Sequence, residues 1–171
     1  MASKIGGPQS STEPLITAEE LAQEEHLLTF PHLNRSDVLE LGKIAIRRNE
    51  KTDLSFACRI EYNNMVVFQY LPAGTNQFNV DWMEKKIEAV KTFRTTTMGL
   101  WVLYDAKGHK RVDTTPVPQT CLVKAGGGFP LMTEDGEVVA TFAVSGPGDQ
   151  NDHYFGIECL EEFREMLKKQ E

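Results

Sequence analysis

The stretch SFACRIEYNNMVVFQY, residues 55–70, decides the fold. Phe56, Cys58 and Ile60 alternate with Ser55, Ala57 and Arg59, the period of two that belongs to a half-buried strand. Tyr62-Asn63-Asn64 supplies turn residues, and residues 65–70 resume the extended pattern, so the two runs read as a β-hairpin. Hairpin strands pair antiparallel, and no strand-helix-strand alternation flanks them, which excludes a Rossmann reading.

Upstream, Thr17-Ala18-Glu19-Glu20 has the capping-box pattern of a helix start, with Leu21 and Leu28 on one face and Pro31 as the breaker. Asn34-Arg35-Ser36-Asp37 opens a second helix carrying Val38, Leu41, Ile44 and Ala45 at helical spacing, and Arg47-Arg48 suits its C-terminal dipole. Downstream, Met83, Ile87, Val90 and Phe93 predict a helix over residues 80–94, and residues 100–103 predict a strand. A polar bend at Asp105 to His109 and the prolines Pro116 and Pro118 predict an irregular connection before residues 120–123. Glu134-Asp135-Gly136 is a tight turn into residues 138–144, whose apolar side chains at nearly every position predict a central strand covered on both faces. A last helix is expected over residues 152–169, with Phe155, Cys159, Leu160, Phe163 and Leu167 inward. The fold class is therefore α+β: one mostly antiparallel sheet with flanking helices, in a single domain over residues 15–171 behind a disordered N-terminal tail, residues 1–14.

Composition narrows the function classes. The chain has 171 residues, 40% of them hydrophobic, enough for one domain with a real core. No apolar run approaches the roughly 20 residues that cross a bilayer, so no membrane partner is expected. Twenty-five acidic against eighteen basic residues leave a formal charge of -7, which argues against nucleic acid as a partner. The Ser, Gly and Pro-rich start has neither a hydrophobic signal core nor an Arg-rich transit pattern, so the expected location is cytoplasmic. Cys58, Cys121 and Cys159 are widely spaced among apolar residues and read as buried free thiols. Without CxxC or HxxxH, no metal site is expected.

Three stretches can carry chemistry. The run Gly126-Gly127-Gly128 before Phe129 matches neither GxGxxG nor a P-loop; it reads either as a packing device or as backbone lining a ligand. Ser145-Gly146-Pro147-Gly148 leaves the central strand for the last helix, where amides can gather around an anion; GxSxG is absent, so a serine hydrolase is not expected. Asp152-His153 reads either as the polar cap of that helix or as an acid-base pair. Lys86, with Lys85, Lys91 and Arg94, can meet an anionic group such as a propionate, and Trp82 beside them offers a flat apolar surface for a planar ligand or a subunit contact. His26, His32 and His109 read as solvated side chains.

Trp82-Met83-Glu84-Lys85-Lys86 with Val90 and Phe93, then Gly126 to Leu131, then Val144-Ser145-Gly146 with Asp152-His153, resembles the blocks of the UPF0303 (DUF967) proteins within the HbpS/GlcG-like group, often labelled heme-degrading or DUF336. The resemblance spans about residues 20–168. It implies a profilin-like α+β fold, a homo-oligomer, and a small-molecule ligand, heme being possible, near Gly126, Gly127, Gly128, Phe129, Ser145, Gly146, Trp82 and Lys86, with His153 and Asp152 as the reactive pair. Two departures from the family stand out: Ala125 stands where a His commonly precedes the glycines, and Phe78 and Val80 stand where acids usually precede the tryptophan. The leading expectation is a small-molecule-binding protein; a non-catalytic interaction module and a cofactor-free lyase or isomerase using His153 or Asp152 as base are the alternatives.

Overall fold

A computed structural model of the chain describes residues 2–10, 12–106 and 123–170. The expectations for residues 107–122, including His109, Pro116, Pro118 and Cys121, lie outside the described residues.

The elements run α1 (Ala18–Glu24), a 3-10 turn (Glu25–Leu27), β1 (Thr29–Phe30), α2 (Arg35–Asn49), β2 (Ala57–Tyr62), β3 (Met65–Tyr70), α3 (Gln77–Phe93), α4 (Thr97–Ala106), β4 (Gly128–Thr133), β5 (Val138–Ser145) and α5 (Asp149–Lys168). Both helix starts expected upstream are capping boxes: Thr17 and Glu20 close α1, Asn34 and Asp37 close α2. The five strands form one sheet in the order β1-β4-β5-β2-β3, parallel between β1 and β4 and antiparallel elsewhere. The hairpin of residues 55–70 is its outer edge, turned by Asn63 and Asn64, both at positive φ, the conformation that asparagine tolerates best after glycine.

β5 is the middle strand. Phe142 and Val144 face the large core with Val38, Leu41, Phe155 and Phe163 from α2 and α5, whereas Ala143 joins Ala57, Met83 and Ile87 under α3. This two-sided burial explains why residues 138–144 lack polar alternation.

Three expectations are corrected. Residues 100–103 are the middle of α4, not a strand: a short apolar run fits either form, and here Thr96 Oγ1 accepts a hydrogen bond from the Gly99 amide at 3.0 Å and starts a helix. α3 begins at Gln77, three residues before its expected start at residue 80, because Asn76 caps it. α5 begins at Asp149, so Asp152 is not a cap; it sits one turn in. Asn151 Oδ1 accepts from the Gly6 amide at 2.8 Å and Gln150 Oε1 from the Ser10 amide at 3.1 Å, while Ile5 packs on the large core.

Candidate functional site

Where β5 ends, β4 begins and α5 starts, the structure brings together Gly126, Gly127, Gly128, Lys86, Asp152 and His153. The glycines are needed here for room. A Cβ on Gly126 would lie 2.2 Å from the Asp149 carbonyl oxygen and 2.9 Å from His153 Cβ. One on Gly127, already at φ +97°, would lie 2.6 Å from the Val144 carbonyl oxygen and 2.8 Å from Asp152 Cβ. Of the two readings of the triple glycine, close packing against β5 and α5 is the one the geometry supports. Thr97 Oγ1 holds the end of the run by accepting from the Gly128 amide at 2.9 Å.

Lys86 reaches across the end of β5 to α5. Its ammonium donates to Asp152 Oδ2 at 2.8 Å and to the Val144 carbonyl oxygen at 2.7 Å, and both side chains are almost wholly buried. The other Asp152 oxygen accepts from the Gly146 amide at 2.6 Å. The anion expected at the Ser145-Gly146 turn is thus the protein's own carboxylate. Burial pushes the Asp152 carboxyl up to about 6, against the lowering pull of Lys86 and of the Gly146 amide. The pair can hold or release a proton near neutral pH.

His153 is fully buried on the next position of α5. Its Nε2 lies 2.7 Å from Glu24 Oε2, and its ring packs 5.4 Å from Phe129 and 6.0 Å from Tyr154. In the neutral imidazole a proton on Nε2 is donated to the Glu24 carboxylate and Nδ1 keeps a lone pair. Among the described residues Nδ1 has no hydrogen-bond partner, and the same is true of the buried Trp101 Nε1. The two orphans share neighbours: Tyr154 packs on the cluster of Ile16, Met98 and Trp101, and Met98 Cε flanks Gly126 beside His153. Buried polar atoms are rarely left unpaired, and this neighbourhood presents two such atoms, one on an imidazole and one on an indole.

The other expected residues lie apart or serve packing. The Ser145 hydroxyl accepts from Asn79 Nδ2 at 3.2 Å, towards α3 and not towards His153. Gly146 leaves space for the Phe56 ring, which a Cβ would approach to 2.5 Å, and Phe129 stacks in the core on Phe142 at 5.8 Å. Trp82 packs against Ala89, Leu100 and Val123 in a separate cluster, under Lys85 at 5.3 Å. The cationic face expected on α3 is spent internally: Lys86 is buried, Lys91 pairs with Glu61 at 2.6 Å, and Arg94 donates to the Gly136 carbonyl. Sequence reasoning missed Glu24 and Trp101, which reach the centre from far along the chain with no local motif. The Thr95-Thr96-Thr97 run that leads into α4 is the signal that points to a helix there.

His153 Nδ1 is chemically a suitable iron donor, with Glu24 orienting the ring from the far nitrogen. The space does not fit heme: Gly126 lies directly against the His153 side chain, and Lys86, the cation for a propionate, is committed to Asp152. The centre as packed holds no planar macrocycle.

Comparison with known proteins agrees on one family. A family model described as "Haem degrading protein HbpS-like" matches residues 33–161. A UPF0303 protein of Yersinia enterocolitica is 26% identical over 141 residues, covering 82% of this chain and 84% of the relative. One from Streptomyces avermitilis is 26% identical over 147 residues, covering 86% and 90%. Among solved structures, the Ybr137w protein superposes with a TM-score of 0.72 at 19% identity, covering 86% of this chain and 88% of that one. A PduOC:heme complex superposes at 0.63 with 17% identity, covering 75% and 93%.

Proposed function

This chain belongs to the HbpS-like family, and on that premise we propose that it is a cytosolic, self-associating small-molecule-binding protein. Its ligand seats at the His153 and Trp101 centre. The observation that carries this reading is the pair of buried, unpartnered polar atoms, His153 Nδ1 and Trp101 Nε1. An acceptor and a donor that share the neighbours Tyr154 and Met98 suit a ligand that gives one hydrogen bond and takes one, as a carboxylic acid, a hydroxy acid or a primary amide does. A solved structure of similar fold with heme bound, the PduOC complex, supports a small molecule as the kind of ligand, but the packing around His153 favours a compact polar one over a macrocycle. Entry requires movement of the cover formed by residues 2–10 and α1. The buried free thiols Cys58 and Cys159 suit a reducing compartment, and the exposed apolar residues on β3 suit self-association.

A thermal-shift screen of small carboxylic acids, hydroxy acids and amides tests the reading, with hemin titrated in parallel. The expected result is a saturable rise in melting temperature with a member of the set, lost in both His153→Ala and Trp101→Phe, and no Soret shift that depends on His153. A Soret shift abolished by His153→Ala would restore heme and overturn the compact-ligand reading.

A further inference from the structure

A cleft lies at the far end of α5, about 16 Å along the helix from His153. It has a volume of about 430 Å³, within the few hundred to about a thousand Å³ usual for small-molecule sites. We propose that it binds a small organic anion with an apolar body: a carboxylate on an aromatic or alkyl group.

The floor is apolar. Phe30 is 1% exposed and Leu167 is half-buried beside it. Arg164 stands over this floor with its guanidinium carbon 4.9 Å from the Phe30 ring centroid, and one of its N–H groups donates to the Thr29 carbonyl. Stacking and that bond fix the plane of the fork. Thr29 O is the only acceptor the guanidinium has among the described residues, so the rest of the fork is open to a carboxylate, the planar partner that it matches with two parallel bonds.

The charges at the rim point the same way. Among the described residues Lys168 pairs only with Glu165, at 3.0 Å, and their side chains are 64% and 63% exposed, a solvated pair that an incoming anion displaces at little cost. Asp37, the one acid of the lining, is turned away to cap α2: its Oδ2 accepts from the Asn34 amide at 2.8 Å. Arg164 and Lys168 against Asp37, with His32 neutral, leave the lining at one net positive charge, in a chain whose total is -7. A cationic cleft on an acidic protein selects an anion, and its greasy floor selects one with an apolar body.

The test is an NMR titration of the full chain with sodium naphthoate, alongside naphthamide as the uncharged counterpart. Naphthoate is expected to give saturable amide shifts confined to residues 30–37 and 164–170, and naphthamide to bind at least about tenfold more weakly, as loss of a charge-assisted pair requires. Arg164→Gln is expected to weaken naphthoate by about tenfold, and the exposed Lys168→Gln, which removes no packing, by a few-fold. Lys43→Gln, on α2 outside the cleft, is expected to change nothing. Absence of saturable shifts, equal binding of the acid and the amide, or shifts that map to Gly126 and His153 instead would overturn the proposal. Should Arg164→Gln unfold the chain, the Lys168→Gln and acid-against-amide comparisons decide it.

Discussion

Lys86 and Asp152 form a pair whose members are each dangerous alone. Removing the ammonium with Lys86→Met leaves a buried carboxylate, and the expected loss is about 3–5 kcal/mol in urea denaturation at pH 7. Lys86→Met combined with Asp152→Leu is expected to recover most of that loss, since replacing a buried pair with apolar groups is often neutral. The pH dependence has a definite sign. The folded Asp152 carboxyl, at about 6, lies above its ordinary 3.8, so the folded protein binds this proton more tightly than the unfolded chain does. Its contribution is present at acid pH and disappears as pH rises from about 4 through 6. Over that window the native chain is expected to lose on the order of 3 kcal/mol of stability relative to Asp152→Asn, measured by denaturation at matched pH. Gly126→Ala offers a third measurement: a methyl group 2.2 Å from the Asp149 carbonyl oxygen has nowhere to go, and a loss of about 1–3 kcal/mol is expected.

At the scale of elements, β3 is exposed at the sheet's edge. Met65 and Val66 are about half exposed, and Phe78 on the neighbouring helix is 66% exposed. An apolar edge of this kind invites another copy. If the proposed self-association runs through this edge, Val66→Lys is expected to lower the mass measured by light scattering after gel filtration, with no loss of thermal stability; an unchanged mass would exclude β3 as its surface. The hairpin, both capping boxes, the β5 strand and the long last helix were legible in the sequence because each has a local signature: a period of two, a hydroxyl or amide three residues before an acid, an unbroken apolar run. α4 was not, because residues 100–103 are too short and too uniformly apolar for periodicity to separate a buried helix from a buried strand. β1, two residues long, has no period to read.

Across the whole molecule, the candidate centre was half legible. Spacing and resemblance named Gly126 to Gly128, Lys86, Asp152 and His153, and these do converge; Trp82 and the Ser145 hydroxyl do not join them. Glu24 and the N-terminal segment were invisible because their contacts join residues more than a hundred apart in sequence, and no local pattern encodes such a meeting. That segment supplies the cap which α5 lacks: Gly148 has no side chain to offer, and Gln9 Oε1 accepts from the Asn151 amide at 3.2 Å. Gln9→Ala is therefore expected to cost about 1 kcal/mol and to speed hydrogen exchange at Asn151, leaving amides in β2 unchanged. The central place of β5 also has a consequence in time. On the ribosome, β2 and β3 emerge well before residue 138, and at about 5–20 residues per second the hairpin waits roughly 4–15 s for the strand that covers its inner edge. During that wait Cys58 and Ile60 have no Val144 or Phe142 to meet, so nascent chains stalled before β5 should be the species most in need of a chaperone.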